Sequence, residues 1–473
     1  MTKREDIKKG HTHMQWIFAL LATATLFIYG IDVGWISPTT KILQSEGSPT
    51  GYPLSDYTVS WIASSMSIAA MFGVFVYSYI ADTYGRKVGV FLIAIPEAIS
   101  WIIRLSYSST TTIIVARLCS GFAAAGCFNI VPMYIKEISQ DDIRGILGTF
   151  PLLLQNFGIL VIYLLGAYLK YFTVIIVVVV LSILSIILFI KAPESPAFLV
   201  KQGKIDEATK TVAFLRGLEE DDTIVQRIVE NMEKEDAHYK SLPNLKVTNM
   251  LKEKAWCKGF FLITGIFIFR TFNGVFAIVT YASAVLVSTG VKFEISPEIL
   301  TLSFPIVMIA GSLSLAAIVE RCGRKTLLIG SFVISSCSLA VIAVAMIVQE
   351  RGFHVPSWLP VISLVLSVAL YGGGVASLPF IIMTEMFCFQ IRAKVVGAVT
   401  TFVWFITFIL VAIYTPMVNS LGQYSPFIFY AIMNLLGAIF TLLLLPETKG
   451  KNEDEIFQLL SKKKTVHGIS VDT

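Results

Sequence analysis

Acidic and basic side chains recur at matched places in this 473-residue chain. Ala81-Asp82-Thr83-Tyr84-Gly85-Arg86-Lys87 returns as Val319-Glu320-Arg321-Cys322-Gly323-Arg324-Lys325. Glu137 and Arg144 return as Glu385 and Arg392, and Pro193-Glu194-Ser195-Pro196 is echoed by Pro446-Glu447-Thr448-Lys449. Carboxylates and guanidiniums in such positions can make and break ion pairs, each worth about 0.2–1 kcal/mol where exposed and more where partly desolvated. A second set of charges falls inside apolar runs: Asp32 in Gly30-Ile31-Asp32-Val33-Gly34, Arg104, Arg117 and Arg270. Charge within a membrane span is costly enough to be a functional hypothesis by default, and Asp32 and Arg117 are candidates to face each other.

The elements that must carry these residues follow from composition. The chain is 55% hydrophobic and only 15% charged, with mean hydropathy +0.75, more apolar surface than a soluble core can hide. It reads as an integral membrane protein, all-α. A spanning helix needs about 20 mostly apolar residues, and twelve runs of that kind are present: 14–37, 58–81, 88–107, 111–136, 146–169, 171–192, 259–289, 297–319, 326–349, 359–387, 394–417 and 425–445. The duplicated motifs divide them into two six-helix bundles, 14–192 and 259–446, joined by a charged helical linker, 193–258, with tails 1–13 and 447–473. Two similar halves in so apolar a chain are the pattern of a transporter. Lys3, Arg4, Lys8, Lys9, the Arg86-Lys87 and Arg324-Lys325 pairs, the linker and Lys462-Lys463-Lys464 all fall on one side if the spans alternate. That side, with both termini, is expected to be cytoplasmic, and the membrane the plasma membrane. The net charge of +5 is thus a topological signal, and no run resembles a nucleic-acid surface.

Several chemistries are disfavoured. The five histidines form no Ser-His-Asp or His-x-Glu pattern, so no enzyme is expected. Cys119, Cys127, Cys257, Cys322, Cys337 and Cys388 have no metal or disulfide spacing and are expected to be free thiols, with no metal and no cofactor. The first apolar run is too long for a cleavable signal and reads as a span. The expected partners are a small solute, the lipid bilayer and, if Asp32 titrates, protons.

Pro132-Met133-Tyr134-Ile135-Lys136-Glu137-Ile138, then Arg144-Gly145-Ile146-Leu147-Gly148, the closing Pro446-Glu447-Thr448-Lys449-Gly450, Pro193-Glu194-Ser195-Pro196 and the doubled Asp/Glu-x-x-Gly-Arg-Lys together resemble the sugar porters of the major facilitator superfamily, and within them the arthropod trehalose and hexose transporter-like group. The resemblance covers essentially the whole chain. It implies a twelve-helix carrier that moves a sugar by alternating access, by facilitated or proton-coupled transport. It also implies a cytoplasmic gate built from Asp82, Gly85, Arg86, Glu137, Arg144, Glu194, Glu320, Gly323, Arg324, Glu385, Arg392 and Glu447, in which Glu137 and Arg144 pair with Arg324 or Glu447 when the inside gate is shut. Asp32 beside Arg117 resembles the proton site of proton-coupled members. A permanent Asp32–Arg117 pair, or a solvated Asp32 near the outer surface, are the competing readings. Arg104, near the end of its span, is expected to snorkel. Gly372-Gly373-Gly374 with Pro379 matches the family's flexible tenth helix and is a candidate hinge, whereas Gly121, Gly126, Gly158, Gly265 and Gly274 read as packing positions.

The pocket departs from the family pattern. Arg270 and Thr271 stand where sugar porters usually place two glutamines, Phe276 replaces an asparagine, and Leu152, Met308, Phe380 and Val403 stand for a glutamine, an asparagine, a tryptophan and an asparagine. Ala197 replaces the arginine after Pro-Glu-Ser-Pro. Trp404, Pro379 and Tyr281 remain. Gln155, Arg270, Thr271, Asn273, Tyr281, Phe380 and Trp404 are therefore the candidate substrate residues, with Asn156 and Thr280 as further polar groups. The readings left open are a sugar or polyol bound differently, an anionic or other non-sugar solute held by Arg270, Arg270 as a structural partner of Asp32 or of a backbone carbonyl, and a nutrient sensor that does not transport.

Overall fold

The computed structural model describes residues 10–106, 109–241, 253–289, 297–356, 358–387, 389–449, 451 and 453–461. The tails 1–9 and 462–473, the stretch 242–252 of the expected linker, Cys388 and the Glu320 side chain lie outside the described residues. Every regular element among those described is helical. Among the described residues eleven helices are long and apolar enough to cross a membrane, and a twelfth carries a shorter apolar stretch, Ser303–Leu315. The twelve-helix expectation therefore holds. Two compact units divide the chain, Met1–Pro243 and Asn244–Thr473.

In the first unit the spans are α1 His13–Gly34, α2 Asp56–Thr83, α3 Arg86–Ser106, α4 Thr110–Ile138, α5 Phe150–Tyr168 and α6 Tyr171–Phe189. Their starts are chemically marked. Ser55 accepts from the Thr58 amide, and Ser109 with Thr112 forms a capping box, which satisfies amides that a helix leaves without internal partners. Small residues set the spacing between helices. A methyl on Gly121 would lie 2.0 Å from the Met66 carbonyl, and one on Gly158 would lie 2.1 Å from that of Phe27. The flanks carry large exposed apolar side chains, such as Ile176, Val180 and Ile187 on α6, as lipid rather than water requires.

The charged stretch after α6 folds onto this unit. Helices Pro196–Lys201, Ile205–Arg216 and Thr223–Ser241 share a small core of Leu199, Val200, Ala208, Val212, Ala213, Val225 and Val229. Gln15 of α1 ties it down. Its Nε2 donates to the Leu215 carbonyl (3.2 Å), while its Oε1 accepts from the Gln140 amide (2.8 Å) just beyond α4.

In the second unit the spans are α7 Lys254–Thr280, α8 Ser303–Cys322, α9 Arg324–Glu350, α10 Trp358–Met386, α11 Phe389–Leu421 and α12 Ser425–Leu444. Two of them are irregular: α7 departs from the unbroken helix expected at 259–289 with Gly274 as a packing position, and α10 is irregular at the glycine run expected as a hinge. α7 stops at Thr271 and restarts at Val275, because Gly274 adopts φ +92° and the ring of Tyr430 fills the place of any side chain there. α10 widens into a π-helical turn at Tyr371–Val375. That turn contains all three consecutive glycines, and a methyl on Gly372 would lie 2.5 Å from the Met308 carbonyl of α8.

Candidate functional site

The repeated motifs build one network twice. In the first unit Arg86 pairs with Glu137 (Nε–Oε2 2.9 Å; Nη2–Oε1 3.0 Å) and donates through Nη1 to the Ala81 carbonyl (2.9 Å). Glu137 also accepts from the Ser195 hydroxyl. Glu194 receives the amides of Arg86 (2.9 Å) and Lys87 (3.1 Å) at the start of α3. In the second unit Arg324 pairs with Glu385 (Nε–Oε1 3.1 Å) and donates to the Val319 carbonyl (3.3 Å). Glu385 accepts from the Thr448 hydroxyl (2.5 Å), and Glu447 receives the amides of Arg324 (3.1 Å) and Lys325 (3.2 Å) at the start of α9. The equivalence Ser195/Thr448 explains why the residue after Pro-Glu carries a hydroxyl in both halves.

This geometry assigns each motif residue a physical task. A carboxylate on the amides at a helix N-terminus forms charge-assisted hydrogen bonds and meets the positive end of the helix dipole. The glycine must leave room for it. Gly85 adopts φ +100° and a methyl there would lie 2.3 Å from Glu194 Oε2; Gly323 adopts φ +83° with 2.8 Å to Glu447 Oε2. Within its own unit each of these residues has a partner. Glu137 holds Arg86, and Glu447 holds the start of α9. Arg144 pairs with Asp141 (2.6 Å) and donates to the Ser139 carbonyl (3.1 Å), and Arg392 donates to the Phe387 carbonyl (3.0 Å). Asp82 pairs with Lys201 of the helical segment after α6, at 3.1 Å and largely exposed.

The charges inside the first unit converge on Asp32, which is fully buried, so a solvated position near the outer surface is ruled out. The principal partner is not the one expected. Arg104 does not snorkel: it is fully buried, with Nη2 2.5 Å from Asp32 Oδ1, and its guanidinium lies 4.1 Å from the Trp101 ring centroid and 4.7 Å from that of Trp35. The two indoles meet edge to face and supply the cation–π contacts that replace water around the charge. Trp101 Nε1 donates to Asp32 Oδ2 (3.1 Å). Arg117 is present as well, but its shortest contact is to the backbone: Nη1 donates to the Asp32 carbonyl (2.5 Å) and is 3.8 Å from Oδ1. Its Nε and Nη2 donate to the Ile62 and Ala63 carbonyls of α2 (3.3 Å each). Arg117 thus staples α1 to α2 through α4.

One buried carboxylate escaped the sequence reading. Glu97 in α3 is 1% exposed; its Oε1 accepts from the Cys127 thiol (3.5 Å) and Oε2 has no partner among the described residues. An acidic residue eleven positions after Arg86, within the apolar run 88–107, was the available signal. Cys119, Cys127, Cys257, Cys322 and Cys337 are free, as expected.

The candidate substrate residues are distributed more unevenly. Gln155 belongs to the first unit; its Oε1 is buried without a partner among the described residues. In the second unit Arg270 and Phe380 lie together, 5.0 Å from guanidinium carbon to ring centroid. Arg270 Nε donates to the Ala376 carbonyl of α10 (3.1 Å). Thr271 is buried and bonds its own helix at Phe267 (2.9 Å). Asn273 is fully buried; its Nδ2 donates to Asn434 Oδ1 (2.5 Å), while Asn434 Nδ2 donates back to the Asn273 carbonyl (3.2 Å), so this amide pair bridges the break in α7 to α12. Thr280 bonds the Phe276 carbonyl (2.8 Å). Tyr281 stacks on Tyr414 with centroids 4.7 Å apart and donates to the Val411 carbonyl (3.5 Å). Trp404 is largely buried on α11. Thr271, Asn273 Nδ2 and Tyr281 are thus tied up in helix packing, Asn273 Oδ1 is buried without a partner among the described residues, and Arg270 makes its hydrogen bond through Nε.

Comparisons with known proteins agree with this architecture. The facilitated trehalose transporter Tret1 of Culex quinquefasciatus is 25% identical over 451 residues, covering 94% of this chain and 85% of that protein. Tret1 of Apis mellifera ligustica is 25% identical over 458 residues, covering 96% and 90%. The partially occluded, inward-open structure of the E. coli xylose transporter XylE superposes with TM-score 0.76 at 19% identity, covering 93% of this chain and 100% of that one. The major facilitator superfamily proton:xylose symporter XylE bound to 6-bromo-6-deoxy-D-glucose gives 0.74 at 20%, covering 95% and 99%. The family described as "Sugar (and other) transporter" matches residues 18–460, nearly the whole chain, which therefore belongs to that family of membrane carriers and is not an enzyme.

Proposed function

We propose that this protein carries a sugar or a related small polyhydroxylated solute across the plasma membrane by alternating access, with both termini in the cytoplasm. The observation that carries the reading is the duplicated Arg–Glu–Ser/Thr–Glu network at the starts of α3 and α9. Each half holds the same set of partly exposed charge-assisted contacts at the same place in its bundle, the internal repetition expected of a carrier built from two like halves. Lysine and arginine cluster beside these networks, which supports their cytoplasmic placement. The Tret1 and XylE proteins are named as sugar carriers, which supports the substrate class.

Asp32 is the candidate coupling site. Arg104 occupies Oδ1 at 2.5 Å, so a proton arriving there competes with the guanidinium, and protonation and opening of the ion pair become one event. Such coupling of charge to helix position is what a symporter requires. The test is uptake of labelled glucose, trehalose and a polyol into proteoliposomes with and without an inward proton gradient. Uptake speeded by the gradient supports a symporter, and gradient-independent uptake supports a facilitator. Silence towards every solute sinks the transport reading.

A further inference from the structure

The two interrupted helices of the second unit meet at Arg270. α7 ends its first segment at Thr271, one residue later, and the π-helical turn of α10, Tyr371–Val375, precedes Ala376, whose carbonyl accepts from Arg270 Nε. Arg270 is twelve residues beyond Lys258, the last charge before it. That places it about 18 Å along the helix in a hydrocarbon layer about 30 Å thick. A guanidinium this deep needs an anion or a task. Among the described residues of its unit no carboxylate pairs with it, and neither terminal nitrogen has a hydrogen-bond partner. Phe380, Phe267 and Tyr371 surround it at 5.0, 5.7 and 6.0 Å and hold its plane. With Nε committed to Ala376, the end-on edge formed by Nη1 and Nη2 remains, and it matches the two oxygens of a carboxylate.

We propose that Arg270 is the anion-reading residue of the substrate site and that the solute is a polyhydroxylated carboxylic acid, a sugar acid of the hexuronate type. The inference rests on the transport reading above and narrows its substrate class. One guanidinium neutralises a monoanion in the membrane interior, whereas a phosphate dianion would leave a net charge there. Discontinuous helices near the bilayer midplane are where carriers bind their cargo, and the break in α7 and the π turn of α10 both lie beside this side chain. The competing role, a strut that only anchors Ala376, needs a donor but no charge, and glutamine can supply that.

The test uses the full chain with labelled glucuronate and glucose as probes. Uptake is measured in proteoliposomes, and thermal unfolding is followed in detergent with each solute. The expected result is that glucuronate raises the unfolding temperature of the wild type and enters saturably. In Arg270→Gln the glucuronate-to-glucose uptake ratio then falls at least about tenfold, with Arg270→Lys intermediate. An unchanged ratio in Arg270→Gln overturns the proposal, as does wild-type protein that carries glucose while glucuronate neither stabilises nor enters; both leave the transport reading standing. Stabilisation by glucuronate that Arg270→Lys weakens, with no solute crossing, upholds the assignment and removes the transport reading. No stabilisation and no flux with either probe removes both.

Discussion

Arg104 Nη2 lies 2.5 Å from Asp32 Oδ1, and neither side chain reaches solvent. An ion pair in the interior is stable only if both charges keep their partners; removing one leaves an uncompensated charge that costs about 3–5 kcal/mol. Here Trp101 and Trp35 complete the shell around the guanidinium and Trp101 also donates to the carboxylate. Arg104→Gln is therefore expected to lower the unfolding temperature and the yield of folded protein sharply. Asp32→Asn combined with Arg104→Gln is expected to recover much of that loss, because the pair is then neutral on both sides. A thermal double-mutant cycle followed by tryptophan fluorescence reads the coupling directly. Strictly additive losses would show that the two charges are not a unit.

The glycines of the repeated motif offer a second test. At Gly85 an alanine would combine φ +100° with a methyl 2.3 Å from Glu194 Oε2. Gly85→Ala should cost on the order of 1–3 kcal/mol and displace the carboxylate from the start of α3. Gly323→Ala should act alike but more mildly, given 2.8 Å to Glu447. Gly397→Ala is the control, since nothing lies within 4 Å of the added methyl. Equal stability of Gly85→Ala and Gly397→Ala would remove the capping role from the motif.

What the sequence made legible was set by periodicity and repetition. Apolar length located the spans, because lipid forces backbone hydrogen bonds inside each helix. Repetition singled out Gly85, Arg86, Glu137 and Glu194 with their counterparts. Their partners were not legible, since which carboxylate meets which guanidinium depends on helix packing: Glu137 meets Arg86, fifty-one positions away in the chain. Arg104 was misread for the same reason. Its place near the end of the apolar run suggests snorkelling, but the face of α3 that carries it turns towards α1 and two indoles. The break in α7 was hidden because hydropathy averages over a single glycine at positive φ, whereas the glycine run expected as a hinge did mark the place where α10 takes its π turn.

The amide pair Asn273–Asn434 should hold the interrupted α7 in place. Asn434 Nδ2 donates to the Asn273 carbonyl at 3.2 Å and to that of Tyr430 at 2.7 Å, while its Oδ1 accepts from Asn273 Nδ2 at 2.5 Å. Asn434→Leu keeps the volume but strands a buried carbonyl and a buried amide, at about 1–3 kcal/mol for each unpaired group. The expected outcome is faster hydrogen exchange confined to 272–280 and reduced uptake, with the α3 and α9 starts unaffected. Exchange that rises across the whole unit instead would mean that the pair supports the bundle at large rather than the break.

Replacing Asp32 by asparagine separates coupling from folding. The variant keeps the shape and the acceptor for Trp101 but removes the charge for which a proton and Arg104 compete at Oδ1. If that competition drives the cycle, Asp32→Asn should lose acceleration by an inward proton gradient. Exchange of labelled solute at equal concentrations on both sides, which needs no net proton movement, should persist. If Asp32 carries the coupled proton, wild-type uptake should rise with acid on the side from which solute enters, while that of the variant stays flat. Because the variant also strands Arg104 and Arg117, the same assay is run on Asp32→Asn with Arg104→Gln, where the buried charge is again reduced. Gradient dependence that survives in the double variant would place the proton elsewhere, and Glu97, buried one helix away with a single thiol partner, would then be the next carboxylate to substitute.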